Sequence, residues 1–116
     1  MDEWEHETVR NHRRISEPFL RIIDLKKHSE SNRINLSLSA YKALGEPSHV
    51  QIMVNKKDSG KLKLVSSYEG LTGARPVRRR SSYCAMGGGS NLVKRYHMRT
   101  GYYILVGDGV FEWRYN

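Results

Sequence analysis

The chain has 116 residues, with 20 Lys and Arg against 12 Asp and Glu and 38% hydrophobic side chains; its pI is near 9.8 and its mean hydropathy −0.67. That length fits one domain with a modest core, and no apolar run reaches the roughly 18 residues that a membrane-spanning helix needs. A lone cysteine, Cys84, excludes an internal disulfide and a thiolate zinc cage.

The opening "MDEWEHETVR" is acidic and polar, unlike a secretory signal, and with the single cysteine it points to a reducing, cytoplasmic setting. Residues 1–17 read as a polar arm, with Trp4, Val9 and Ile15 set among charges. "PFLRIIDLK" (18–26) reads as a strand that begins at Pro18, where a missing donor is tolerated. "HSESN" (28–32) has the composition of a loop.

"INLSLS" (34–39) alternates Ile34, Leu36 and Leu38 with polar residues, the period of a half-buried strand. Ser39 is then the expected cap of a short helix, "AYKALG", stopped by Gly45. "HVQIMVN" (49–55) and "KLKLV" (61–65) predict two strands joined through the turn "KKDSG".

Residues 66–91 are mostly turn-forming, with a short strand expected over 74–80 and a glycine-rich loop at 86–91. "NLVKRYHM" (91–98) suits helix and strand equally. "YYILV" and "VFEWRY", joined by "GDG", predict a hairpin in which Gly109 supplies a positive φ. The expected fold is α+β and mainly β. It is a small twisted antiparallel sheet of five to seven short strands with one or two short helices, all within 18–116.

The unit "INLSLSAYKALGEPSHVQIMVNKKDSGKLKLV" (34–65) resembles the AbrB/MazE-like swapped-hairpin pattern: a strand, a short helix ending in Leu44-Gly45, a strand entered at Val50, and a return strand. It is also similar to small uncharacterised bacterial and phage proteins that extend the same unit with a C-terminal β region. The resemblance implies a dimeric DNA-binding regulator or antitoxin. The proline and arginine usual around the short helix are replaced by Ser39, Ala40 and Lys42, and the usual Gly-Asp by Ser48-His49. The family's DNA contacts therefore have no counterparts to carry over at these positions.

Charge is unevenly spread. Residues 1–60 hold 10 basic and 9 acidic side chains, whereas residues 61–116 hold 10 and 3. Seven of the 11 aromatic residues also lie from Tyr83 onward. Basic charge interleaved with tyrosines neutralises phosphates and offers stacking faces together. In the run "ARPVRRRSSY", an extended backbone puts Arg78 and Arg80 on one face about 6.6 Å apart, with Arg79 on the other. Guanidiniums at that spacing can straddle successive phosphates; a solvated edge strand is the competing reading.

"GGGSN" (87–91) lacks the Lys-Ser/Thr pair of a Walker loop and the spaced glycines of a dinucleotide site, so it reads as a flexible connector. Arg-Arg-Arg-Ser at 78–81 also fits a basophilic kinase site. The histidines show no metal-ligand spacing, and no acid/base pair or nucleophile with an assigned base is written near Cys84. No enzyme activity, metal or cofactor is expected. Apolar residues on both faces of the last hairpin hint at a homodimer.

The sequence thus predicts a non-enzymatic, polyanion-facing binding module. Arg75, Arg78, Arg79, Arg80 and Tyr83 form half of its surface, and Lys94, Arg95 and Arg99 complete it. Nucleic acid is the expected partner. The alternative is a small phage or mobile-element inhibitor, anti-CRISPR-like, docking on an acidic protein or a nucleoprotein complex. No membrane partner is expected.

Overall fold

The computed structural model describes residues 16–23 and 33–115. Most of the predicted N-terminal arm, the end of the first predicted strand (24–26) and the loop at 28–32 lie outside them. In chain order the elements are β1 (Phe19–Ile23), β2 (Arg33–Ser37), α1 (Leu38–Ala43), β3 (His49–Val54), β4 (Lys61–Ser67), β5 (Arg75–Pro76), β6 (Arg78–Arg79), β7 (Tyr83–Met86), α2 (Gly89–Lys94), β8 (Gly101–Gly107) and β9 (Val110–Tyr115).

Alternating side chains build the core. Leu20 and Ile22, Ile34 and Leu36, Leu62 and Leu64, and Cys84 and Met86 are all buried, two residues apart on their strands. They join Val50, Tyr103, Phe111 and the helix residues Ala40 and Leu92 in one cluster. Each large side chain so buried contributes roughly 1.5–3 kcal/mol.

The nine strands form one antiparallel sheet in the order β5-β3-β4-β9-β8-β1-β2-β7-β6, two strands more than the upper end of the expected count. The excess comes from 75–86: the one short strand expected over 74–80 is divided at Val77 into β5 and β6, of two residues each, and β7 lies in the stretch read as turn-forming.

Those two short strands also fix the shape. β5 pairs with β3 at one end of the sheet, and β6 pairs with β7 at the other. Only Val77 separates them, so the two ends lie within about 7 Å of chain reach. Val77 donates its N–H to the carbonyl of Ser48 at 2.9 Å, beside β3, and Arg80 donates to the carbonyl of Tyr83 at 2.7 Å, beside β7. The sheet therefore rolls into a barrel whose seam is the segment 75–80. Closure of this kind removes unpaired edges, and with β5 and β6 counted together as one stave the eight staves leave an interior that side chains can fill.

Helix α1 starts earlier than expected. Ser37, not Ser39, is its cap: the buried Ser37 Oγ accepts from Ala40 N–H at 3.2 Å and also from Phe19 N–H at 2.9 Å. One hydroxyl thereby ties the helix start to β1, a link that Ser39, two residues further on, does not make. Gly45, at φ +85°, ends the turn after the helix, as predicted.

The ambiguous stretch at 91–98 is helical as far as Lys94, and the helix begins inside the glycine run at Gly89. The last hairpin closes through Asp108-Gly109, with φ of +45° and +75°, and Gly107 faces Val110 across the turn. This is the type I′ geometry that matches strand twist.

Candidate functional site

The arginine run forms the barrel seam, and the seam borders a groove of about 560 Å³. Arg75, Arg78 and Arg80 line it together with Tyr83 from β7 and Arg33 from β2. Ala85 and Met86 also line it, as do Gly87 and Gly88. Among the described residues, four arginines line this groove and no acidic residue does.

Backbone pairing explains the placement. Arg78 faces Ala85 and Arg79 faces Cys84 across β6 and β7. Ala85 lines the groove whereas Cys84 is fully buried. Successive side chains point to opposite faces, so Arg78 and Arg80 turn into the groove and Arg79 does not. Arg33 enters because β2 lies directly against β7, with Ile34 opposite Met86. Sequence reasoning missed Arg33, since a pairing between residues some fifty positions apart leaves no local signal.

Arg75 is the anchored member. Its Nη1 donates to the carbonyl of Gly87 at 2.8 Å, and a Cβ placed at Gly88 would overlap its guanidinium. Gly88 also has a φ of +93°, in the left-handed region that glycine enters without strain. The glycine run is therefore a seat for Arg75 leading into a helix, and the flexible connector predicted for it is corrected. Burial lowers the pKa of Arg75 from the usual arginine value, with nearby Tyr96 acting the other way. An arginine so perturbed remains cationic at neutral pH.

The other half of the predicted surface is elsewhere. Lys94 and Arg95 end α2 outside the groove lining, and the Arg95 guanidinium is 5.6 Å from the Tyr96 ring centroid. Arg99 lines a separate cleft of about 200 Å³ with Asp58, Glu112 and Trp113. It stacks at 4.8 Å over the Trp113 ring, in a cleft that Asp58 and Glu112 also line. The structure gathers Arg75, Arg78, Arg80 and Tyr83, adds Arg33, and leaves Arg79, Lys94, Arg95 and Arg99 out of the groove.

Cys84 is fully buried in the core. Burial raises its thiol pKa, and the opposing influence of Arg79 is the smaller one, so this is not the environment of an activated thiolate. Among the described residues, no group of three or more His, Cys, Asp or Glu side chains is placed to hold a metal ion. Among the same residues, no helix is long and apolar enough to cross a membrane. Compared with known proteins, the chain matches no family model, no curated protein and no solved structure.

Proposed function

We propose that this protein is a non-enzymatic binding module that grips the phosphate backbone of nucleic acid in the seam groove. The observation that carries the reading is the convergence of Arg33, Arg75, Arg78 and Arg80 on one groove, with no acidic residue among its described lining residues. Fixed guanidiniums bind phosphate oxygens in bidentate fashion, and Arg75 is already held by Gly87. Tyr83 adds a half-buried ring beside them.

The test is the salt dependence of affinity for a labelled oligonucleotide. Each phosphate contact adds about 0.7–0.9 to the slope of log K against log salt. Replacing both Arg78 and Arg80 with alanine is expected to flatten the slope by about 1.5 and to weaken binding across all sequences alike. Affinity indifferent to salt and to both substitutions overturns the reading.

A second reading, the inhibitor that docks on a host protein, draws on a different feature. Tyr68 is 64% exposed and Leu71 36% exposed on the loop between β4 and β5, and exposed apolar side chains on one loop suit a protein contact. Under this reading a purified partner stays bound after nuclease treatment and is released by Tyr68→Ser. Loss of all bound material with nuclease returns the case to nucleic acid.

A further inference from the structure

Strand register lines up a row of side chains on the outer wall of the barrel. Arg78 faces Ala85, Ala85 faces Asn35, Asn35 faces Arg21, Arg21 faces Tyr102, and Tyr102 faces Tyr115. Directly opposed residues in antiparallel strands share a face. The neighbours of these residues along the strands, Leu20, Ile22, Ile34, Leu36 and Cys84, are buried on the inner face. Six residues from six adjacent strands at about 4.8 Å per step span about 24 Å.

The two ends differ in chemistry. At one end Arg78 opens onto the groove with Arg33, Arg75 and Arg80. At the other, Tyr102 lies 5.6 Å from Tyr115 and 5.2 Å edge-to-face from Phe19, measured between ring centroids. The guanidinium of Arg21 is 4.9 Å from the Tyr102 ring centroid, and Arg21 is exposed. Between the ends, Ala85 is small and leaves a low floor. Asn35, beside it, has a buried Oδ1 with no hydrogen-bond partner among the described residues.

We propose that this row is a track for one unpaired strand of nucleic acid. Its phosphates enter at the arginine groove, and its bases stack at Arg21 and the tyrosine pair. The proposal rests on the reading of the groove as a phosphate site and narrows its substrate class. A duplex is stiff and its bases are already stacked, so against this wall it offers phosphates alone. An unpaired strand uses every group of the row: guanidinium planes and rings for base faces, cations for phosphates.

Fluorescence anisotropy with a labelled 12-nucleotide oligo-dT and a labelled blunt 12-base-pair duplex tests this at fixed salt. The full chain is expected to bind the single strand at least tenfold more tightly than the duplex. Arg21→Lys keeps the charge and removes the planar group; it is expected to weaken single-strand binding about tenfold, with duplex binding and the salt slope unchanged. Tyr102→Leu should act in the same direction, and Arg21→Lys, being at an exposed position, keeps the test informative if Tyr102→Leu fails to fold. Equal affinity for the two forms, or wild-type single-strand binding by Arg21→Lys, overturns the track while salt-dependent binding through Arg78 and Arg80 stands. Absence of salt-dependent binding to either form overturns the phosphate reading beneath it.

Discussion

The guanidinium of Arg75 fills the volume that a side chain at Gly88 would need. It is held there by its hydrogen bond to the carbonyl of Gly87. The seam strand and the start of α2 are thus joined through one arginine.

That contact makes Gly88→Ala informative. Alanine meets both a φ of +93°, a backbone region that costs an L-residue about 1–2 kcal/mol, and the displaced guanidinium. We expect a loss of about 2 kcal/mol in urea unfolding, with weaker oligonucleotide binding because Arg75 leaves its seat. In the double variant with Arg75→Ala the guanidinium is gone, so only the backbone cost remains. A double-mutant cycle should show coupling of about 0.5–1 kcal/mol or more; strictly additive losses contradict the packing described.

The last hairpin supplies a second test. A Cβ at Gly109 would overlap the carbonyl oxygen of Leu64, and Leu64 N–H donates to Gly109 O at 2.9 Å. Gly109 is required both by its positive φ and by the close approach of β4. Gly109→Ala should cost about 2–3 kcal/mol, combining left-handed strain with backbone displacement. Asp108→Asn, which keeps the residue types favoured in a type I′ turn, should stay within about 0.5 kcal/mol of the parent. Urea midpoints for the two variants decide the matter.

Tyr103 predicts how stability responds to alkali. It is fully buried between β1 and β9, opposite Leu20 and Trp113. Its hydroxyl donates to the carbonyl of Arg99 at 2.6 Å. Burial pushes its pKa up to about 12, outweighing the charge of Arg99, which lowers it. An unfolded tyrosine titrates near 10, so the folded state holds the proton more tightly. The resulting stability is fully present below pH 10 and is lost as pH rises through 12. At about 1.4 kcal/mol per pH unit, urea unfolding at a series of pH values should show a fall of up to about 3 kcal/mol over that window. Tyr103→Phe should remove this part of the alkaline fall while lowering stability at neutral pH by about 1 kcal/mol for the lost hydrogen bond.

How far these features were legible follows from which residues specify them. Leu20 and Ile22, or Leu62 and Leu64, write their strands locally because alternating burial needs alternating residue types. The Asp108-Gly109 turn is equally local. Ser37 and Ser39 are chemically equivalent in sequence; the approach of Phe19 N–H from a strand eighteen residues away accompanies the choice of Ser37. The strand expected over 74–80 was legible, but its division into β5 and β6, pairing with opposite ends of the sheet, belongs to barrel closure, a global property. The groove was half legible for the same reason: Arg78 and Arg80 alternate locally, but Arg33 arrives through β2–β7 pairing. Arg99 was grouped with them on charge alone, whereas the fold sets it beside Asp58 and Glu112.

That regrouping can be measured. Arg33 lines the seam groove with Arg75, Arg78 and Arg80, whereas Arg99 stacks on Trp113 in the cleft that holds Asp58 and Glu112. If phosphates bind in the groove, Arg33→Ala removes one contact and should lower the single-strand salt slope by about 0.7, with a roughly tenfold loss of affinity at low salt. Arg99→Ala removes a charge from the separate cleft that Asp58 and Glu112 also line and should leave the slope unchanged. It should instead cost stability of about 0.5–1 kcal/mol through the lost stacking on Trp113. Salt titrations of the two variants beside the parent, with urea unfolding in parallel, separate a contact in the groove from a contact in the cleft. A slope that moved with Arg99 and not with Arg33 would place the phosphate surface along the cleft beside Trp113.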